Sequence, residues 1–133
     1  MDSKDLMIGD WVLYEGEPYQ IRQLGIWGVN RDGEDYPAVC VGKPIGIGLI
    51  IERNEIEPIP LTPEILEQNG FRKESYIEVV GGLDTYYLGE EIGSFRIHRL
   101  QEGYYQFGLA KIKYVHELQH ALRLCNILKE IEI

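Results

Sequence analysis

Three prolines lie within the seven residues from position 57 to position 63, and this stretch constrains the fold more than any other. A proline fixes its own φ and pushes the preceding residue towards an extended conformation, so the stretch is expected to be stiff. It is the best candidate boundary. We predict a strand-rich N-terminal subdomain over residues 1–59 and a helix-meander-helix subdomain over residues 60–133. Neither part buries much apolar area alone, so the two are expected to form one compact unit.

The N-terminal part is predicted to consist of short β-strands. Residues 10–14 and 19–24 flank a turn at residues 15–18, and the second of these stretches alternates apolar and polar positions, which is typical of a β-hairpin. Further short strands are predicted at residues 26–29, 38–41 and 49–52. Several short strands in so little sequence favour a small β-barrel-like sheet of the Src-homology type.

The C-terminal part is predicted to contain two helices and an antiparallel meander. Thr62 at the N-cap, Pro63 at the first position and Asn69-Gly70 at the end predict a short helix. Strands are predicted at residues 76–80, 85–88, 95–100 and 104–109, a long helix packed on the sheet at residues 112–125, and a final strand at residues 129–133. The predicted fold class is therefore α+β.

The charge of the chain argues against nucleic acid as a partner. Thirteen Lys and Arg against twenty-two Asp and Glu give a net charge of -9, which repels phosphate backbones. Arg96, His98 and Arg99 could form a local basic patch, but such residues on one strand are more often a solvated face. We expect no nucleic-acid binding.

Membrane insertion and secretion are not expected either. The apolar stretch at residues 45–51 is interrupted by two glycines and is shorter than the ~20 residues of a membrane span. Cys40 and Cys125 lie in apolar contexts, and residues 1–10 lack the layout of a secretory signal. The expected location is the reducing cytoplasm.

One short motif points to metal chemistry. His116, Glu117 and His120 form an H-E-x-x-H pattern, in which two histidines one helical turn apart bind zinc and the glutamate acts as general base. A hydrolytic site also needs a third ligand, and the positions of the metzincin extension hold Arg123 and Asn126. Other candidate third ligands are His98, an upstream carboxylate, and the downstream residues Glu130 and Glu132.

The periodicity of the same helix favours a structural role. Its predicted apolar face consists of Tyr114, Val115, Leu118, Ala121, Leu122 and Cys125. The predicted solvated face consists of Lys113, His116, Gln119, His120 and Arg123. We therefore expect no catalytic residue and no cofactor, with a zinc site as the alternative.

Weaker motifs have simpler interpretations. Residues 42–48 have the glycines of a phosphate loop but open no helix, and residues 30–35 resemble a calcium loop without its first and last carboxylates. We interpret both as turns. A Cys40–His98 dyad has no support beyond the presence of both residues. The Trp and Tyr residues are interpreted as core and cross-strand packing rather than as a recognition surface.

Three stretches resemble a family of short uncharacterised proteins encoded by gut bacteria and their prophages or other mobile elements. They are residues 6–12 with 18–21, residues 56–66 with 69–71, and residues 112–122. Members of that family commonly have Gln where this chain has Glu117, and often Asn where it has His120, and a zinc hydrolase does not tolerate those residues. It implies no known activity. A non-enzymatic accessory or protein-binding module of a phage or mobile element is therefore the predicted function, and a zinc-dependent hydrolase is the alternative.

Overall fold

A computed structural model of the chain describes residues 6–75, 84–89, 95–100 and 103–133. The chain divides into two compact units, Met1–Ile59 and Pro60–Ile133. The fold class is mixed α+β, as predicted, with most regular structure in two antiparallel sheets. No helix within the described residues is long and apolar enough to cross a membrane.

The first unit is a five-stranded antiparallel sheet with a 3-10 turn at Arg53–Glu55. Its strands are β1 (Trp11–Tyr14), β2 (Glu17–Val29), β3 (Asp35–Gly42), β4 (Leu49–Glu52) and β5 (Ile56–Pro58). The strand order is β4-β3-β2-β1-β5. The predicted hairpin is confirmed as β1 and β2. Among the described residues the sheet does not close into a barrel, because β4 and β5 are its two edges.

Strand β2 is a single long strand, so the separate strand predicted at residues 26–29 is wrong. The pairing with β3 shifts register between Ile21 and Gln23 and again between Gln23 and Ile26. Gly25 lies between these points with a φ of +69°, a conformation that glycine adopts without a steric cost. Gly25 is part of a bulge, which bends the strand without ending it.

A buried carboxylate orders the entry to β1. Asp10 is fully buried, and its Oδ2 accepts a hydrogen bond from the backbone N–H of Met7 at 2.7 Å. The backbone N–H of Gly9 donates to the carbonyl of Ile21 at 2.7 Å. Trp11 follows with its side chain buried, so the Gly-Asp-Trp stretch has a structural role. The core beside it comprises Leu6, Val12, Ile21, Val39, Val41, Ile51 and Ile56.

The second unit has a five-stranded antiparallel meander and two helices. Its elements are α1 (Pro63–Gln68), β6 (Arg72–Ser75), β7 (Asp84–Leu88), β8 (Phe95–Arg99), β9 (Tyr105–Phe107), β10 (Ala110–Ile112) and α2 (Val115–Leu124). The strand order β10-β9-β8-β7-β6 confirms the predicted meander. The strand predicted at residues 76–80 lies outside the described residues.

The first helix of this unit begins and ends as predicted. The Oγ1 of Thr62 accepts a hydrogen bond from the N–H of Ile65 at 3.3 Å and caps the N-terminus. At the other end Gly70 has a φ of +86°, and the N–H of Phe71 donates to the carbonyl of Leu66. These are the features of a Schellman motif, which satisfies the last carbonyls of the helix.

Two predictions for the C-terminus are wrong. The long helix begins at Val115 rather than near Ile112, because Ala110–Ile112 pairs with β9. The final strand at residues 129–133 is absent. Instead the side-chain amide of Asn69 bonds both backbone groups of Glu132, donating to its carbonyl at 2.8 Å and accepting from its N–H at 2.7 Å. The Asn69 side chain thus takes the place of a partner strand. A short alternating sequence does not distinguish a paired strand from an extended segment that is held by a side chain.

The core of the second unit includes two pairs of aromatic rings among its buried aliphatic residues. Tyr86 and Tyr105 are buried and meet edge to face with their ring centroids 6.0 Å apart, and Phe95 stacks on Phe107 at 4.8 Å. Such pairs stabilise a fold beyond the area they bury. Burial also raises the pKa of Tyr105 to about 12, because the phenolate is poorly solvated there.

The raised pKa of Tyr105 predicts a loss of stability at alkaline pH. In the unfolded chain the phenol ionises near its ordinary value of 10.0, whereas in the native protein it ionises at about 12. The contribution is complete below pH 10 and is lost as pH rises through the native value. Urea unfolding measured across this range is expected to show a smaller decline in the Tyr105→Phe variant than in the wild type.

The buried face of α2 predicts large losses when its leucines are truncated. Leu118 and Leu122 are almost completely buried, whereas Leu124 on the same helix is exposed. Leu118→Ala or Leu122→Ala is expected to cost about 2–5 kcal/mol in chemical denaturation, because a cavity forms. Leu124→Ala is the matched control and should cost less than about 0.5 kcal/mol. Equal losses at all three positions would contradict the assigned face.

Candidate functional site

The H-E-x-x-H residues occupy the first two turns of α2, and the structure corrects the predicted environment of one histidine. His116 is only 5% exposed and Gln119 only 7%. The prediction that His116 and Gln119 lie on the solvated face of the helix is therefore wrong. The buried positions of the helix spread over roughly 220° of its circumference, given about 100° per residue. A sequence periodicity that assigns one apolar face therefore underestimates how much of the helix is covered.

The two histidines pack as rings. The imidazole of His116 stacks on the ring of Tyr114, with centroids 5.8 Å apart and an interplanar angle of 11°. The ring of His120, which is half-buried, meets His116 edge-on at 5.6 Å. Both imidazole rings therefore contribute to aromatic packing at the start of the helix.

Glu117 caps its own helix. Its Oε1 accepts hydrogen bonds from the backbone N–H groups of Lys113 and Tyr114, both at 3.0 Å. The first N–H groups of a helix have no intrahelical partner, and a carboxylate there is also favoured by the helix dipole. A general base must instead reach a water molecule or a substrate proton. The geometry of Glu117 therefore supports a structural role.

A third metal ligand is not brought to these histidines by the residues that the structure describes. Within that part of the chain, no three His, Cys, Asp or Glu side chains cluster in a way that could hold a metal ion. His98 lies in β8, where its Nδ1 is 2.8 Å from the Oγ1 of Thr85. Of the proposed dyad, Cys40 lies in β3 of the first unit and His98 in the second.

The basic-patch residues of β8 do not share one environment. Arg96 and His98 alternate with Ile97, which is buried, and therefore lie on the outer face of the sheet. Arg96 pairs with Glu74 at 3.7 Å and lies over the ring of Tyr87. Arg99 is on the opposite face at the end of the strand. A continuous basic surface is not formed by these three side chains.

The loop between β3 and β4 presents a different kind of surface. Its residues 43–48 contain Ile45 and Ile47, whose side chains are 92% and 94% exposed. Leu49 and Ile50, the first residues of β4, are also exposed. We call these four residues the isoleucine edge. Most exposed apolar residues occur singly, so a run of four on one loop and strand is informative.

Arg22 holds this loop in place. Its Nη1 donates to the carbonyl of Gly46 at 3.1 Å, and its Nη2 donates to the carbonyl of Lys43. A Cβ at Gly42 would lie 2.2 Å from the Nε of Arg22, so the arginine can pass only because glycine stands there. Lys43 in turn pairs with Glu17 at 3.2 Å. The interpretation of residues 42–48 as a turn did not include this arrangement. Its signal in the sequence is the spacing of Ile45, Ile47 and Leu49 between glycines and a proline.

An acidic cavity lies near the other edge of the first sheet. It has a volume of about 420 Å³ and is lined by Leu13, Tyr14, Glu15, Gly16, Asn54, Glu55 and Glu57. Burial raises the pKa of Tyr14, and the carboxylates of Glu15 and Glu55 add to this effect. The edge at β5 is therefore lined by charge, in contrast to the edge at β4.

Comparison of the chain with protein-family models, curated proteins and solved structures found no match. The candidate sites are accordingly judged on their own geometry.

The capping role of Glu117 makes a prediction that differs from that of a zinc site. Glu117→Ala is expected to cost about 0.5–2 kcal/mol, the range for losing a helix cap, and Glu117→Gln less, because its amide oxygen can still accept. Thermal melts of the two variants measure this order. The His116→Ala, His120→Ala double variant is also expected to be destabilised, because His116 is buried.

The same melts with a chelator present are the control. A capping glutamate and packed histidines predict no change in the melting temperature on chelation. A zinc site predicts a large drop in the wild type and none in the double histidine variant, since the metal would stabilise only the native state. That second pattern would refute the structural interpretation.

Proposed function

We propose that this protein is a non-enzymatic protein-binding module, an accessory protein of a phage or mobile element as its sequence resemblance implies. The observation that carries the proposal is the isoleucine edge, in which two almost fully exposed isoleucines stand on a loop fixed by Arg22. Exposed apolar clusters on otherwise polar surfaces are typical of binding sites.

The anchoring of the loop supports binding rather than incidental exposure. Ordering a loop on association costs free energy, and a loop that is already held costs less. Arg22 bonds two carbonyls of the loop, and Gly42 at the start of the loop admits the arginine side chain. The geometry alone presents Ile45 and Ile47 to a partner at low entropic cost.

The zinc-hydrolase alternative has less support. Its motif lies on a helix, as the chemistry requires, but Glu117 is bonded to the backbone at the start of that helix. The chelator experiment above decides between a metal centre and a packed helix start.

Finer features of the architecture and setting belong to the same proposal. The order β4-β3-β2-β1-β5 and the bulged strand β2 support a curled, barrel-like sheet of the Src-homology type. Packing of α2 on the second sheet is supported by its wide buried face. A cytoplasmic setting is supported by Cys40 and Cys125, which are both free thiols. The net charge of -9 supports a partner other than nucleic acid.

Site-specific photocrosslinking tests the proposed function. A photoreactive benzoylphenylalanine placed at Ile47 is expected to give a discrete adduct with another protein in cells that carry the natural neighbouring genes. The same group placed at Leu109, which is fully exposed in the second unit, is the matched control and should not give that adduct. Mass spectrometry identifies the crosslinked protein. Absence of any adduct specific to position 47 would contradict the proposal.

A further inference from the structure

The two edges of the first sheet are protected to very different degrees. An edge strand presents unpaired backbone N–H and C=O groups, and proteins normally block such edges with charges or proline. The edge strand β5 has the sequence Ile56-Glu57-Pro58 and so carries both a charge and a proline. The other edge strand, β4, begins with exposed Leu49 and Ile50. Among the described residues, the β5 edge is interrupted by a proline, whereas β4 has no proline and its one charged residue, Glu52, lies at its end.

We infer that β4 binds its partner by strand addition, taking an extended segment of another protein as a sixth strand of the sheet. This inference rests on the proposed binding function and specifies how the isoleucine edge is used. Strand addition supplies affinity through backbone hydrogen bonds, and the side chains of alternate residues supply specificity. The register of β4 on β3 places Ile51 opposite Val39 and Ile50 opposite Cys40.

The register also defines what the added strand meets. Leu49 and Ile51 lie on the face of the sheet that contains Val39 and Val41, which are core residues. Ile50 and Glu52 lie on the opposite face, beside Cys40 and Ala38. An added strand with β-branched residues at alternate positions would extend the first face. A residue beside Glu52 is favoured when it is basic.

Charge identifies the occupant as a basic, apolar segment of a different protein. The chain carries a net charge of -9, so two copies repel each other, whereas an extended segment bearing Lys or Arg is attracted. Glu52 at the end of β4 adds a local carboxylate beside the open edge. A second copy of this chain is therefore the less favoured occupant, and its detection is one outcome of the test.

A designed peptide tests strand addition directly. The probe is a short fluorescent peptide that alternates Val and Lys, and its binding to the full chain is followed by fluorescence anisotropy. The matched control is the same peptide with its valine nitrogens methylated, which keeps the side chains and the charge but removes backbone donors. Methylation is expected to weaken binding about tenfold, or about 1.4 kcal/mol. Equal binding of the two peptides, or no binding of the plain one, would overturn the inference.

Variants of the chain locate the binding strand. Ile50→Lys places a repelling charge on the open edge and is expected to weaken binding of the plain peptide about tenfold. Ile47→Lys, outside the strand, provides a second variant should the first fail to fold. Leu109→Lys adds the same charge at an exposed site of the other unit and should leave binding unchanged. Equal weakening by all three substitutions would show attraction by net charge alone and would overturn the inference.

Analytical sedimentation of the protein alone tests the other possible occupant of the β4 edge, a second copy of this chain. A dimer in the wild type that Ile50→Lys abolishes would assign the edge to a second copy, contrary to the inference. Failure of strand addition and failure of the proposed function are distinguishable. If position 47 crosslinks to a partner but methylation of the peptide has no effect, the binding function stands and strand addition is wrong. If position 47 gives no specific adduct, the binding function itself is wrong.

Discussion

The guanidinium group of Arg22 determines the shape of the surface on which the proposed function depends. It reaches from β2 across the end of β3 and bonds the carbonyls of Lys43 and Gly46. A hydrogen bond from a charged donor is stronger than a neutral one, so a single side chain can fix a loop of this length. Gly42 is the consequence, because a Cβ there would collide with Arg22, whereas a Cβ at Gly48 would collide with Cys40. The exposure of the two isoleucines follows from that backbone path.

The β4 edge is one of the places in this unit where apolar side chains are exposed, besides Trp27 and Val29 at the end of β2. The second half of β3 is mostly buried, and the far edge at β5 carries a proline and is lined by carboxylates. Water can form hydrogen bonds with the backbone groups of β4, but it does not stabilise the exposed apolar side chains. Only a partner can cover both kinds of group at once. The exposed apolar side chains and the backbone groups of β4 therefore both favour an added strand from another protein as the ligand.

Local sequence signals predicted the elements whose determinants are themselves local. Thr62, Pro63 and Gly70 specify the start and end of α1 through caps and backbone conformation, and the structure agrees at each residue. The signals failed where the deciding partner is distant. Asn69 bonds Glu132 across sixty-three residues, so nothing near the C-terminus reveals why that segment is extended but unpaired with a strand. The separate strand predicted at residues 26–29 failed for the same reason, since the pairing with β3 that places Gly25 in a bulge is not local.

The H-E-x-x-H match shows why a motif must be weighed against the backbone that carries it. A glutamate at the third position of a helix is favoured by the unpaired N–H groups behind it, whatever the function of the protein. The flanking histidines then lie one turn apart because of helix geometry. Here His116 is buried against Tyr114, and His120 packs on the ring of His116. The same spacing that suits zinc therefore also suits a capped, aromatic helix start. What separates the two is the direction of the Glu117 carboxylate, and it faces the backbone of Lys113 and Tyr114.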